Sequence, residues 1–192
     1  MPKKKRINPN KIPITPSTVD MHALMIEASK DNMLNAWLLV IPELMRVLDL
    51  SDTEVFQVWD EVNNYIDAMP AEGEALAACA QNGEQLIGLP TPYRHALKTT
   101  VRTKGDLEVL KRHLKEKAVH AALSLIALGL NNTGRCDEGL IRRIFLNVSL
   151  TRAEIEAGRT SYESLLKDIQ ARGIMIDEDG ESVDIASGQA SN

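Results

Sequence analysis

Four histidines and two cysteines have the most versatile side-chain chemistry in this chain. They are His22, His95, His113, His120, Cys79 and Cys136. No histidine has a second ligand at a zinc or di-iron spacing, and the isolated cysteines offer neither a disulfide framework nor a metal motif. His113 and His120 could share a helix face with Glu116, but packed or solvated side chains explain them better. We therefore expect no metal and no cofactor.

Adjacent acids at Asp60–Glu61 and Asp137–Glu138 are the remaining candidates for acid–base catalysis. On a helix, neighbouring side chains point about 100° apart, so neither pair converges on one substrate. A glycine-rich phosphate loop and a nucleophile elbow are also absent from the sequence. The chain is therefore predicted to bind a partner and not to be an enzyme.

Composition favours helices. Of the 192 residues, 44% are hydrophobic and only 4% are aromatic, while Leu, Ala, Met and Glu are plentiful. This usage predicts an all-α protein. The longest apolar stretches are too short to span a bilayer, and no signal peptide follows the basic N-terminus. With two isolated cysteines, we expect a cytoplasmic protein with no membrane association.

Apolar periodicity and helix-start residues predict where the helices lie. A helix is expected from Pro16 to about Leu48, bent at Pro42, because proline removes a backbone hydrogen bond. Further helices are predicted at 52–69, 71–81, 93–100, 105–129, 137–157 and from Thr160 to about 173. Two of these begin with capping boxes, Ser51 with Glu54 and Thr160 with Glu163. The helix at 105–129 has a buried stripe of Leu107, Leu110, Leu114, Ala118, Ala121, Leu125 and Leu128.

The pattern divides the chain into two tandem helical units of about three helices each. The segments are a basic flexible N-terminus at 1–12, an acidic helical lobe at 13–82, a linker at 83–92, a basic helical lobe at 93–174 and an acidic disordered tail at 175–192. Shifting the chain by 86 residues superposes the apolar positions of the two units. We interpret this repeated pattern as internal duplication, although apolar residues recur at helical spacing in any two pairs of helices.

The two units differ most in charge. Residues 13–92 contain thirteen acids and two bases, whereas residues 93–172 contain fifteen bases and nine acids. In the first unit the predicted partner-binding carboxylates are Asp49, Asp52, Glu54, Asp60, Glu61 and Asp67. In the second, the candidate nucleic-acid contacts are Lys104, Lys111, Arg112, Lys115, Arg142 and Arg143, which Arg135 could extend. Nearby acids and a net charge of −5 weigh against general nucleic-acid affinity.

Several segments resemble a known group of proteins. The opening KKKRINPNKIPIT with VWDEVNNY, and later LKEKAVHAALSLIAL, LIRRIFLNV and YESLLKDIQARGI, resemble small helical phage and prophage proteins of low-GC Gram-positive bacteria. The resemblance covers most of residues 3–174, and this chain departs from the single-module form by holding two copies. Some such proteins resemble anti-CRISPR inhibitors of the Cas9 nuclease, which holds nucleic acid in positively charged channels.

The resemblance and the charges together favour one function. We expect a non-enzymatic, phage-encoded inhibitor that acts in the host cytoplasm, binds Cas9 or its guide-RNA complex, and blocks DNA binding or cleavage. The basic lobe could then contact nucleic acid. Alternatives are a DNA-binding phage regulator and an oligomeric structural or assembly protein. Opposite charges also favour contact between lobes, within one chain or between two chains of a homodimer.

Overall fold

The structure, a computed structural model, describes residues 20–29, 31–69, 73–88, 101–176 and 183–185. These residues form seven helices and two short strands: α1 (Met21–Ser29), α2 (Asn32–Leu48), α3 (Asp52–Asp67), α4 (Gly73–Ile87), α5 (Lys104–Asn132), α6 (Glu138–Glu156), α7 (Tyr162–Gln170), β1 (Ile174–Ile176) and β2 (Val183–Ile185). The predicted all-α class is confirmed. The N-terminal segment at 1–12 and the short helix at 93–100 lie outside the described residues.

Helix α5 is the centre of the structure. It packs against α1, α2, α3 and α4, and its C-terminal half is buried on nearly all sides. The buried residues there are Val119, His120, Ala122, Leu123, Ser124, Ile126, Ala127, Leu128, Gly129 and Leu130. The prediction of a single buried stripe on this helix is wrong, since Ala121 is exposed and several helices surround α5.

The two halves of the chain are interleaved. Helix α2 packs more extensively on α5 and α6 than on its neighbour α3, and α3 in turn packs mainly on α5. One hydrophobic core contains Trp37 and Val58 from the first half together with Ile126 and Phe145 from the second. The question that the sequence left open, whether the two lobes pack together, is answered by this shared core.

The helix starts follow their capping residues. Ser51 and Glu54 form the predicted capping box at α3, with the Ser51 side chain accepting from the Glu54 amide and Glu54 accepting from the Ser51 amide. The second box is wrong by one residue: Ser161, not Thr160, caps α7, accepting from the Ser164 amide. Glu163 instead pairs with Lys167 one turn later, as acidic and basic residues four apart do on exposed helices.

The first long helix is interrupted earlier than predicted. The break separates α1 from α2 at Asp31, whose φ of 59° lies in the left-handed region, where aspartate is tolerated better than most residues. Pro42 instead lies inside α2. The prediction of one continuous helix is therefore wrong at Asp31, where the polar sequence ends α1.

Helix α4 extends through Ile87, so residues 83–87 of the predicted linker are helical. The prediction ended this helix at residue 81, before Gly83. A Cβ atom at this position would lie 1.9 Å from the Ser124 carbonyl oxygen of α5, so the glycine allows two helix backbones to approach closely. The predicted linker residues beyond Gly88 lie outside the described part of the chain.

The predicted disordered tail contains structure. β1 pairs antiparallel with β2, Ile174 opposite Ile185 and Ile176 opposite Val183. Ile174 and Ile176 are buried and Met175 is exposed, which is the alternation of a strand with one face on the core. The prediction of disorder from residue 175 is therefore wrong for these strands. The acidic composition of the tail suggested disorder, but the apolar residues that alternate in β1 pack on the core.

The apolar pattern that repeats after 86 residues is visible in the helices. α3 begins at Asp52 and α6 at Glu138, which are 86 positions apart. The predicted equivalent pairs in these helices, Val55 with Ile141, Val58 with Ile144, Trp59 with Phe145 and Val62 with Val148, are all buried. The first helix of the first unit is broken and that of the second is continuous. Internal duplication stays a prediction.

Candidate functional site

The outer face of α3 carries exposed carboxylates. Asp60 and Asp67 lie seven residues apart, two turns along one side of the helix, opposite the buried Val55, Val58 and Val62. Both are exposed. Asp60 accepts a hydrogen bond from Asn64 Nδ2 at 3.1 Å, and neither aspartate has an ion pair with a described residue. The sequence contains no Lys or Arg between positions 47 and 93, so α3 itself contributes no basic side chain, and the Arg135 guanidinium contacts α3 at Glu61.

Asp49 and Asp52 extend the acidic surface beyond the start of α3. Asp52 occupies the first turn of α3, where a negative charge stabilises the helix dipole. Asp49 is exposed and ends α2 with a left-handed φ of 54°. A carboxylate at a helix C-terminus is repelled by the helix dipole, so helix stabilisation accounts for Asp52 but not for Asp49.

Two predicted binding carboxylates have internal partners. Glu61 accepts two hydrogen bonds from the Arg135 guanidinium, from Nε at 2.7 Å and from Nη2, and this contact holds the pKa of Glu61 below its usual value. Glu54 serves the α3 capping box, and the hydrogen bonds with Ser51 lower its pKa. We therefore define the α3 acidic face as Asp49, Asp52, Asp60 and Asp67, and assign Glu54 and Glu61 to structural roles.

The predicted basic residues do not form one patch. Lys111 Nζ lies 3.3 Å from Glu27 Oε1 of α1, and Arg135 is joined to Glu61. Arg142 and Arg143 are exposed on α6, where Arg142 pairs loosely with Glu138 at 3.7 Å. Exposed ion pairs of this kind contribute little to stability, so they leave Arg142 available to a partner.

Lys111 and Lys115 of the predicted set line one cleft together with Glu27 and Asp31, and Arg112 and Lys115 line a second one. The second cleft, about 140 Å³ in volume, also contains Arg152 and has an apolar floor that includes Ile155 and Tyr162. Glu116 and Glu156 line it as well, so much of its positive charge is offset. Sequence reasoning missed Arg152, which falls on the inward side of α6, away from Arg142. The available signal was its position four residues after Val148, on the inward side of α6.

His120 is the buried histidine of the core, with 2% of its surface exposed. Its Nε2 lies 3.6 Å from Glu84 Oε1, which is too long for a hydrogen bond. Burial lowers the pKa of His120 below its ordinary value of 6.5; the positive charge of Arg152 acts in the same direction, whereas Glu84 opposes both. The imidazole is therefore neutral in the folded protein at neutral pH.

We expect this histidine to make folding sensitive to acid. With its pKa lowered by folding, the unfolded chain binds the proton more readily, so the free energy of unfolding should fall as pH drops below about 6.5. Thermal melts near pH 7.5 and pH 5.5 should show a larger loss of melting temperature for the natural protein than for His120→Gln. Equal losses in the two proteins would contradict the assignment.

The described residues contain no group of three or more potential metal ligands. Cys79 and Cys136 are free thiols, and burial raises the pKa of Cys136 to about 11. Within the described segments, no helix has both the length and the apolar character needed to cross a membrane. Asp60 and Glu61 contact different partners, in agreement with the prediction that adjacent acids do not converge.

Comparisons with protein-family models, curated proteins and solved structures each found no match to this chain.

Proposed function

We propose that this protein is a non-enzymatic binding protein whose α3 acidic face docks against a positively charged surface of another protein. The observation that carries the proposal is the exposed pair Asp60 and Asp67 on a helix face without basic residues. Three other acids of the first half have basic partners: Glu27 pairs with Lys111, Glu43 with Arg46 and Glu61 with Arg135. Charge on the α3 acidic face is thus directed outward, toward a partner.

In its most specific form, the proposal is that the partner is a bacterial defence nuclease of the Cas9 type and that the protein is a phage-encoded inhibitor. Such nucleases hold nucleic acid in positively charged channels. Carboxylates spaced along a rigid helix can occupy such a channel and exclude phosphates electrostatically. α3 is suited to this role because its inner face is anchored in the core by Val55, Val58 and Val62.

Charge reversal of the two outermost carboxylates tests the proposal. We expect the double variant Asp60→Lys, Asp67→Lys to weaken binding to the Cas9–guide RNA complex by about 100-fold or more, since each new lysine meets a cationic surface. Binding would be measured by biolayer interferometry and inhibition by a DNA-cleavage assay. For the natural protein, affinity should also fall as salt rises.

The matched control makes the same charge change elsewhere. Glu108 and Asp168 are exposed residues of the second half, so Glu108→Lys, Asp168→Lys should leave binding unchanged. If both double variants bind and inhibit like the natural protein, the α3 acidic face is not the docking surface. If the natural protein binds no Cas9 complex at all, the partner assignment is wrong, although another cationic partner would still fit the face.

A DNA-binding regulator receives less support. Among its candidate contacts, Arg112 and Lys115 share their cleft with Glu116 and Glu156, while Lys111 contacts Glu27. Arg142 and Arg143 lie on another face, so a single track of cations along a phosphate backbone is missing from the described residues. Tight binding of duplex DNA by the purified protein at moderate salt would favour this alternative.

A further inference from the structure

The cleft that contains Arg152 has room for a small ligand. It lies between α5 and α6 beside the start of α7, and Val119, Ile155 and Tyr162 form its apolar floor. Its volume of about 140 Å³ is close to the roughly 150 Å³ of an apolar cavity that holds one benzene molecule. The cleft therefore accommodates an apolar group of about one six-membered ring.

Five charged side chains line the same cleft without neutralising one another through close contact. Arg112, Lys115 and Arg152 are basic, and Glu116 and Glu156 are acidic. Each arginine precedes a glutamate of its own helix by four residues, an order in which charged pairs are less stable than in the reverse order. None of the five forms an ion pair with a described residue. Their charges are thus available to a ligand.

Arg152 is the innermost of the three basic residues. It is half-buried, whereas Arg112 and Lys115 are exposed. Burial lowers the pKa of His120 and raises that of Tyr162, and the charge of Arg152 favours a lower pKa at both groups, so the guanidinium lies near both rings. Neither the guanidinium nor the Tyr162 hydroxyl has a hydrogen bond with a described residue. A guanidinium offers a fork of N–H donors that matches a carboxylate, and a phenol adds an O–H donor.

We propose that this cleft binds the anion of a small monocarboxylic acid with an aromatic or branched aliphatic body. The carboxylate accepts hydrogen bonds from the Arg152 guanidinium and the Tyr162 hydroxyl, and the body packs against Val119 and Ile155. Charge-assisted hydrogen bonds orient the ligand, and burial of its apolar body stabilises the complex. The site is built from α5, α6 and α7, so this binding is independent of the proposed docking of the α3 acidic face.

The charges around the cleft select a ligand with one negative charge. Three basic against two acidic side chains give a net charge of +1, which a monocarboxylate balances. A second negative charge on the ligand would meet Glu116 or Glu156, and like charges repel. We therefore expect phosphate and dicarboxylates to bind less tightly than a monocarboxylate, and a neutral molecule would leave Arg152 unpaired.

Benzoate is the probe that tests the proposal, because its single ring and single carboxylate match the cleft. Titration into the isotope-labelled full chain, followed by NMR, should give a dissociation constant of about 1 mM or lower. The largest chemical-shift changes should fall at residues 112–119 and 152–162. Benzamide has the ring without the charge, acetate has the charge without the ring, and phthalate has a second carboxylate. Each should bind at least about tenfold more weakly than benzoate.

Three variants locate the site. Arg152→Met keeps an apolar side chain and removes the charge, so it should raise the dissociation constant for benzoate by about tenfold or more. Arg143→Met makes the same change at an exposed position of α6 outside the cleft, and it should alter that constant by less than about twofold. Tyr162→Phe removes only the hydroxyl and should raise it about threefold. Circular dichroism melts would verify that every variant is folded.

Three results would overturn the proposal. They are a natural protein that binds no benzoate at about 10 mM, benzamide that binds as tightly as benzoate, and equal affinity of Arg152→Met and Arg143→Met for benzoate. Chemical-shift changes confined to residues outside the cleft would contradict it as well. Should Arg152→Met not fold, unchanged affinity of Tyr162→Phe would overturn the proposal in its place.

Discussion

Produced as separate polypeptides, residues 1–92 and 93–192 should each be largely unfolded, and mixing them should restore the native helical structure. Helix α2 explains this expectation. Its buried residues include Trp37, Leu39 and Ile41, and most of the surface that covers α2 comes from α5 and α6. A first half alone would expose this apolar surface to water, at a cost of about 25 cal/mol per Å². The remaining contact of α2 with α3 is too small to offset that cost.

The measurement is the thermal melt of each fragment and of the mixture, followed by far-ultraviolet circular dichroism. Neither fragment alone should show a cooperative transition, and the equimolar mixture should show one. The intact chain at the same molar concentration provides the reference. A cooperative melt for either isolated half would contradict the interleaved core and favour two independent lobes.

Replacement of Gly83 by alanine should destabilise the protein more than replacement of any other small residue of α4. The new Cβ would lie 1.9 Å from the Ser124 carbonyl oxygen and 2.5 Å from the carbonyl carbon, both backbone atoms of α5. Backbone cannot rotate away as a side chain can, so α4 and α5 must separate. Alanine favours a helix over glycine by about 1 kcal/mol, yet overpacking of this kind costs about 1–3 kcal/mol and occasionally more.

We therefore expect Gly83→Ala to lower the free energy of unfolding by about 2 kcal/mol, which corresponds to a fall of roughly 4–8 °C in melting temperature for a chain of this length. Gly129→Ala should do less harm, because its closest contact is the Val62 Cγ1 atom at 2.7 Å, and a side chain can adjust. Gly139→Ala is the matched control, since only Asp137 Oδ1 at 3.3 Å is near.

The three variants should therefore rank in the order Gly83, Gly129 and Gly139 by loss of stability. Denaturant unfolding in dilute solution would measure the three free energies directly. A Gly83→Ala protein as stable as the Gly139→Ala protein would mean that α4 and α5 do not make this close backbone approach.

Local signals were sufficient for the helices that have clear caps and apolar periodicity. α3 begins at the predicted residue and α6 begins one residue after its predicted start, because Ser51 and Asp137 accept hydrogen bonds from amides of the first turn. This interaction spans only three residues of sequence. Gly83 shows the limit of such reasoning. Its role depends on Ser124, which lies 41 positions away, and a glycine that permits close packing has the same local appearance as one that ends a helix.

The sequence predicted which residue types form the candidate site, but not which of them have partners in other helices. The absence of lysine and arginine from residues 47–93 is visible in the sequence, and Asp60 and Asp67 follow from helical spacing. Pairing of Glu61 with Arg135 was not visible, because it joins residues 74 positions apart across the two halves. Arg152 was missed for a similar reason: its neighbours Arg112 and Lys115 belong to another helix.

The interleaved core also imposes an order of events during synthesis. α2 is made before α5 and α6, so its apolar side chains emerge before the helices that cover them. Exposed apolar surface on a nascent chain promotes aggregation. Residues 1–92 carry thirteen acids against seven bases, and we expect the excess negative charge to repel unfinished chains from one another. We therefore expect the carboxylates that face outward in the folded protein also to limit aggregation of the incomplete chain.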